Sequence, residues 1–336
     1  MGNQWTTTRR TVRWAIVWTL LAVPIATAHE GAHEHADKST GDQPANEVTI
    51  AVEGNYRIIT ANGVPDHVAG HRNPGKVAAQ EYRFRVPLKP KPADRPTPLR
   101  HAPFGVAVNG VVFDPSTNEF WNLDRRWMYE ALSGKIELGL DANRAHVQPG
   151  GKYHYHGLPT ALLARIGANK EMALVGYAAD GFPIYGPLAH VKAEDPASPL
   201  RAMKPSYRIK RGQRPGGEDG PGGRYDGTYF ADWEYVAGLG DLDDFNGRTG
   251  VTPDYPDGTY YYVLTDAFPF VPRQWRGEPD PSFLRRPDGN GGGNGGGGNG
   301  GGNGGGRPPE DGRGGPRDDR RDRRPGGPGE RPPHWH

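Results

Sequence analysis

Two histidines alternate with two tyrosines in the segment GKYHYHG, residues 151–157. Imidazole nitrogens are good ligands for zinc and copper. In an extended strand the side chains of residues i and i+2 point to the same face, so His154 and His156 would lie together and Tyr153 and Tyr155 would occupy the other face. The spacing therefore predicts a metal site. The alternative is a hydrogen-bonded aromatic cluster in the protein core.

A third histidine, His146, precedes this segment and is separated from it by a glycine-containing turn. If the turn is a three-residue loop at 149–151, His146 lies opposite His154 on the neighbouring strand. If the loop contains only Gly150 and Gly151, Val147 takes that place instead. The predicted metal ligands are therefore His154, His156 and His146, and the predicted ion is copper or zinc.

Residues 1–28 have the features of a signal peptide that is cleaved after Ala28. Three arginines are followed by an apolar run and then by the small residues Ala-Thr-Ala. A membrane anchor is the weaker alternative, because the apolar run is shorter than the roughly 20 residues of a membrane span and contains Pro24. We expect an exported protein, periplasmic or extracellular, with no transmembrane segment in the mature chain. The Arg9-Arg10 pair leaves both the general and the twin-arginine export routes open.

Charge and cysteine content limit the function further. Removing residues 1–28 takes three positive charges from the formal net charge of +2 and leaves −1. Nucleic-acid binding requires a basic surface, so this balance gives no support to a nucleic-acid partner. The chain has no cysteine, and an exported domain without disulfides must be stabilised by its core or by a bound ion.

The composition of the mature chain changes twice along its length. Residues 29–46 are polar and His-rich, and we expect a flexible segment. Residues 287–336 contain Asn-Gly repeats followed by Arg, Asp and Pro, with too little apolar surface to offset the entropy of folding, so they are predicted to be a disordered tail. Residues 47–286 are predicted to form one folded domain. The terminal segments hold five more potential ligands, which are more simply read as solvated side chains: His29, His33, His35, His334 and His336.

Short apolar alternations separated by Gly, Pro, Asn and Asp fill the central part of the chain. They predict strands at 48–52, 56–60, 82–88, 104–108, 111–113, 172–177, 182–185 and 259–264. Turns are predicted at Asn109-Gly110, Asp180-Gly181 and Asp257-Gly258. Helical patterns are confined to 160–166 and 125–132. The predicted fold class is mainly β, a single sandwich-like or irregular β domain with a few short helices and long loops.

Three long blocks follow one another in the chain: DANRAHVQPGGKYHYHGLP, LVGYAADGFPIYGP and DLDDFNGRTGVTPDYPDGTYYYVLTDAFPFVPRQWRG. These blocks resemble the YHYH domain family of exported bacterial and some eukaryotic proteins, and the resemblance covers about residues 104–277. The resemblance implies an exported domain and no established reaction, so it assigns no catalytic roles. The candidate residues inside the blocks are Asp141, Asn143, His146, His154, His156, Asp180 and Tyr185.

Three functions are compatible with these patterns. The first is an exported protein that binds copper or zinc, with Tyr153 or Tyr155 as hydrogen-bond donors if the ion is used in catalysis. The second is a module that binds polysaccharide or a cell-surface protein, since 8 Trp, 15 Tyr and 10 Phe could form contact surfaces. The third is a metal-independent hydrolase built on a pair such as His154 and Asp180. The chain lacks Gly-x-Ser-x-Gly and a glycine-rich phosphate loop.

Overall fold

The computed structural model describes residues 43–70, 75–99 and 102–284. The predicted signal peptide, most of the His-rich segment and the predicted C-terminal tail lie outside these residues, as do the terminal histidines. Strands dominate the described part and helices are few and short, which confirms the predicted mainly β class.

The strands are, in chain order, β1 Val48–Glu53, β2 Tyr56–Ala61, β3 Tyr82–Pro87, β4 Pro92–Pro98, β5 Gly105–Ala107, β6 Val112–Phe113, β7 Ala145–Gln148, β8 Lys152–Tyr155, β9 Leu174–Ala178, β10 Pro183–Tyr185, β11 Leu188–His190, β12 Leu200–Ala202, β13 Tyr207–Ile209, β14 Trp233–Tyr235, β15 Gly247–Thr252, β16 Tyr255–Val263 and β17 Gln274–Gly277. The α-helix α1 spans Thr160–Arg165, and 3-10 turns span Trp121–Leu123, Arg125–Trp127 and Phe230–Asp232. Among the described residues, no helix has the length and apolar character needed to cross a membrane.

An eight-stranded sheet forms the centre of the domain, with the strand order β15-β16-β10-β9-β5-β6-β8-β7. Two neighbouring pairs in it are parallel, β10 with β16 and β6 with β8, and the other pairs are antiparallel. Strands β1, β2 and β3 form a separate antiparallel sheet, and three two-stranded ribbons complete the described fold. This distribution over five sheets matches the irregular form of the predicted β domain.

The main core contains side chains from both larger sheets. Ile59 and Phe84 of the three-stranded sheet belong to the same buried cluster as Val106 and Tyr155 of the central sheet. Strands β5, β6 and β10 are buried along their whole length, as expected for strands covered on both faces. Trp275 is also buried in this core, and its Nε1–H donates to the Phe104 carbonyl at 2.8 Å.

Several local predictions are confirmed. The Asn109-Gly110 turn connects β5 to β6, with Gly110 at φ +81° and its N–H bonded to the Ala107 carbonyl at 2.8 Å. The helix predicted at 160–166 is present as α1. Its buried residues Leu162 and Leu163 belong to the main core, which explains why so short a helix is stable.

Two local predictions are wrong. The helix predicted at 125–132 stops at Trp127, because Met128 and Tyr129 are extended and form isolated bridges to Phe120 and Tyr229. Asp257-Gly258 lies inside β16 instead of forming a turn, and the turn falls at 253–254. Gly258 has φ +88° and the pairing between β15 and β16 is irregular there, so this glycine marks a bulge.

Candidate metal centre

The hairpin β7–β8 brings two of the predicted ligands face to face. Its loop contains three residues, 149–151, and the register places His146 opposite His154. Gly150 and Gly151 have φ values of +86° and +74°, which favour glycine. A Cβ on Gly151 would lie 2.3 Å from the Cβ of Ala78, so a larger residue here would clash with that segment.

The third histidine continues the same ladder beyond the end of β8. The His156 N–H donates to the Arg144 carbonyl at 2.8 Å, which ties the residue after Tyr155 to the neighbouring chain segment. On the other side of β8, β6 pairs in parallel so that Val112 lies beside His154. His156 is therefore held on the same face as the His146–His154 pair.

The three imidazoles point their Nε2 atoms at one another. His154 Nε2 lies 2.9 Å from His156 Nε2, and His156 Nε2 lies 3.3 Å from His146 Nε2. Nitrogens bound to zinc at about 2.0–2.1 Å in a tetrahedral site stand about 3.3 Å apart, which is close to the spacing observed. Among the described residues, His146, His154 and His156 form a group whose ligand atoms could hold a metal ion. The three histidines thus have the spacing of a metal-binding group.

Backbone carbonyls orient two of the rings. His146 Nδ1 lies 2.6 Å from the Leu138 carbonyl oxygen and His154 Nδ1 lies 3.4 Å from the Lys152 carbonyl oxygen. Because a carbonyl only accepts hydrogen bonds, each ring in its neutral form carries its hydrogen on Nδ1 and a lone pair on Nε2. This is the second contact that metal-ligating histidines usually make.

His156 is the most deeply buried of the three rings, with 1% of its surface exposed. Burial lowers the pKa of His156 well below its usual value, and the neighbouring rings and Arg273 lower the pKa further. His156 Nδ1 is buried and has no hydrogen-bond partner. A neutral imidazole with an unpaired nitrogen in the interior is unusual, since buried polar groups are nearly always bonded.

A cleft of about 300 Å³ opens onto the three histidines. Its walls come from the segments 114–119, 137–138 and 146–149. Carboxylates on these walls are Asp114, Glu119 and Glu137. The cleft provides room for a further ligand or a small molecule at the open side of the cluster.

The tyrosines of β8 lie on the opposite face and have their own partners. Tyr153 donates to Asp141 Oδ2 at 2.6 Å, and Tyr155 contacts His67 Nε2 and Asn109 Nδ2, both at 2.9 Å. Burial is the main reason why the pKa of each tyrosine is raised. Their hydroxyls are thus engaged away from the histidine cluster, and the predicted role as donors at the ion is wrong for this geometry.

Other residues of the recognised blocks also lie outside the cluster. Asp141 Oδ1 accepts from the Asn143 N–H at 2.8 Å, and Asn143 Oδ1 accepts from the Ala161 N–H at 2.8 Å, so both shape the turn before β7. Tyr185 lies in β10 and donates to Asp254 Oδ2 at 2.7 Å, in the turn between β15 and β16.

Asp180 belongs to a separate buried network. Its Oδ2 atom accepts from the Tyr262 hydroxyl at 2.6 Å and from the Gly277 N–H at 2.8 Å. Burial raises the pKa of Asp180 to about 6, against the effect of these hydrogen bonds. Asp180 thus bonds Tyr262 and Gly277, and these hydrogen bonds do not pair it with His154.

A buried ion pair next to the histidines was missed by the sequence analysis. Arg273 Nη2 donates to Glu130 Oε2 at 2.6 Å and Arg273 Nη1 donates to the Pro115 carbonyl at 2.6 Å. The two side chains are 6% and 1% exposed. Glu130 and Arg273 are 143 residues apart, and no local pattern connects them.

Comparison with known proteins gives one match. The family model for the YHYH protein family matches residues 83–277, a span that begins earlier than the blocks recognised in the sequence. No curated protein and no solved structure matches the chain. Since the match covers more than half of the chain and includes all three histidines, the chain belongs to the YHYH protein family.

Proposed function

We propose that this protein is exported and binds one copper or zinc ion through His146, His154 and His156. The observation that carries the proposal is the convergence of three Nε2 atoms at 2.9 and 3.3 Å. Two of these rings present lone pairs, because their Nδ1 hydrogens are directed at backbone carbonyls. A cation between the three nitrogens would use the arrangement that exists.

The chemistry of the ligands favours these two ions. Three neutral imidazoles without thiolates or several carboxylates suit zinc and copper better than calcium or magnesium. Burial supports the same assignment, because it favours the neutral form of His156, the form that binds a metal. The hairpin register and the ladder contact of His156 hold the three rings in place before an ion arrives.

The open cleft indicates that the ion would be accessible. Catalytic zinc sites typically have three protein ligands and keep one position free, whereas structural sites use four. When bound, zinc would act as a Lewis acid, and copper could in addition exchange electrons. The chain itself would orient the three rings and supply the carboxylates of the cleft walls, Asp114, Glu119 and Glu137.

Export is supported by the sequence of residues 1–28, in which three arginines, an apolar run and the small residues Ala-Thr-Ala follow one another. Copper and zinc are both bound by neutral histidine, so the site suits an oxidising compartment in which thiols are not available. We place the protein in the periplasm or outside the cell on this basis.

The test is a metal titration of the full chain in which the five terminal histidines are replaced by asparagine. One zinc or copper ion should bind per chain. His146→Ala, His154→Ala and His156→Ala should each weaken binding at least tenfold, which corresponds to about 1.4 kcal/mol. His190→Asn is the matched control, because His190 contacts the Ser198 carbonyl at 2.8 Å away from the cluster. If the parent chain binds neither ion, or if the three alanine variants bind as well as the control, the proposal is wrong.

A further inference from the structure

His156 differs from its two neighbours in the position of its hydrogen. His146 and His154 carry hydrogen on Nδ1, so their Nε2 atoms accept. The 2.9 Å contact between His154 Nε2 and His156 Nε2 then requires a hydrogen on His156 Nε2. That tautomer leaves His156 Nδ1 as an unpaired acceptor, in agreement with its lack of a hydrogen-bond partner. Without metal, His156 therefore holds its hydrogen on the atom that an ion would need.

An acceptor for this hydrogen stands beside the ring. Residue 115 runs alongside His156, because β6 pairs in parallel with β8 and the Asp114 N–H donates to the Tyr155 carbonyl at 3.0 Å. The Pro115 carbonyl favours the charged form of His156, yet Nδ1 has no hydrogen-bond partner. A carbonyl oxygen and an unprotonated Nδ1 are both acceptors, which explains why the neighbours are not bonded. If the hydrogen moves from Nε2 to Nδ1, the ring becomes a donor to this carbonyl and its Nε2 lone pair becomes available. The number of bound protons does not change.

The buried ion pair fixes that carbonyl. Arg273 Nη1 donates to the Pro115 oxygen at 2.6 Å, which occupies one of its two lone pairs and leaves the other. Glu130 holds the guanidinium through Nη2, and the rings of Phe230 and Phe268 lie 5.5 and 5.6 Å from it. A buried ion pair is not by itself a stabilising device, since apolar residues of the same volume often serve as well. Its position beside His156 points to another role.

We propose that, at the metal site proposed above, ion binding shifts the hydrogen of His156 from Nε2 to Nδ1, and that Arg273 and Glu130 hold the Pro115 carbonyl that accepts it. Arg273 and Glu130 are positioning residues in this scheme and do not touch the ion. The inference depends on the proposed function, because it describes how this chain prepares its third ligand.

The hydrogen can be located directly by NMR. Two-bond ¹H–¹⁵N spectra of the ¹⁵N-labelled full chain are recorded without metal and with zinc, and His156→Gln identifies the His156 signals. The expected result is a protonated Nε2 without zinc and a protonated Nδ1 with zinc. If the zinc-bound protein keeps hydrogen on His156 Nε2, the inference is wrong although the metal site stands.

Substitution of the ion pair tests the positioning role. Arg273→Met combined with Glu130→Leu removes both charges together, so neither is left buried alone. Loss of such outer contacts typically lowers metal affinity about 10- to 100-fold, and we expect zinc to bind that much more weakly. Arg273→Lys keeps the charge and a donor, and its loss should be smaller. The control is Arg214→Met combined with Asp232→Leu, which removes both charges of another buried pair.

The outcomes separate the two proposals. If the parent chain binds zinc and the double variant binds it equally well, Arg273 and Glu130 have no positioning role and only the inference fails. If the parent chain binds no zinc, both proposals fail. If the double variant does not fold, the zinc affinity of Arg273→Lys and the His156 tautomer measured by NMR test the inference instead. Unchanged affinity in Arg273→Lys together with an unshifted hydrogen would refute it.

Discussion

The polar groups on the two faces of β8 differ in their hydrogen bonding. On the tyrosine face each hydroxyl has a defined partner, Asp141 for Tyr153 and both His67 and Asn109 for Tyr155. On the histidine face the nitrogens point at one another, and His156 Nδ1 has no partner. Both faces are buried, so exposure does not explain the difference. The protein itself satisfies the hydroxyls of the tyrosine face, whereas on the histidine face one buried nitrogen stays unpaired.

The largest expected effect that separates the faces is on stability without metal. Tyr155→Ala should lower the free energy of unfolding by about 3–5 kcal/mol, because it empties a fully buried aromatic site. His156→Ala should cost less than about 2 kcal/mol, since it also removes a buried nitrogen without a partner. Urea unfolding in the presence of a chelator measures both. Equal losses would show that the His156 ring is ordinary core packing and would remove the contrast between the faces.

A smaller effect is expected when only a hydroxyl is removed. Tyr155→Phe keeps the ring but leaves His67 and Asn109 without their shared partner, so the free energy of unfolding should fall by about 1–3 kcal/mol. Zinc affinity should stay within about threefold of the parent, because the ligands lie on the other face. The control is Tyr235→Phe, at a tyrosine that is 39% exposed, which should change stability by less than about 0.5 kcal/mol. A tenfold loss of zinc affinity in Tyr155→Phe would instead couple the two faces.

The sequence was sufficient to predict the division of the strand into two faces. Alternation in GKYHYHG has the period of a strand, and that period alone assigns His154 and His156 to one side. The partner of His154 could not be assigned in this way, because loops of two and three residues both fit the local sequence. The structure has the three-residue loop, in which Gly151 lies against Ala78. Contacts with so distant a segment leave no local pattern.

The outer contacts of the site were beyond the reach of the sequence for the same reason. Arg273 reaches the site from 158 residues beyond Pro115 in the chain. The cleft walls come from loops at 114–119 and 137–138, where no periodic pattern constrains the backbone. The helix predicted at 125–132 failed in this region as well, because pairing with Phe120 and Tyr229 outweighed a short helical pattern. Strand periodicity thus predicted the ligands, and long-range packing determined what surrounds them.

The smallest expected effect concerns pH and belongs to the tyrosine face. Burial lowers the pKa of His67 below 6.5, although the Val68 carbonyl and Asp141 act in the opposite direction. In the unfolded chain the ring titrates near 6.5, so below that pH the unfolded state binds more protons and the free energy of unfolding falls. The contribution of His67 is fully present above about pH 6.5 and is lost as the pH decreases toward its folded pKa.

His67→Gln removes this titrating group and should therefore reduce the pH dependence. We expect the loss of stability between pH 7.5 and 5.5 to be smaller than in the parent by up to about 1 kcal/mol, since one group contributes at most about 1.4 kcal/mol per pH unit. Urea unfolding of metal-free protein at both pH values measures it. Part of the fall should persist in the variant, because burial also lowers the pKa of His156 on the other face. An identical pH dependence in both proteins would mean that His67 is protonated as easily in the folded state as in the unfolded one, and that acid acts on the histidine face alone.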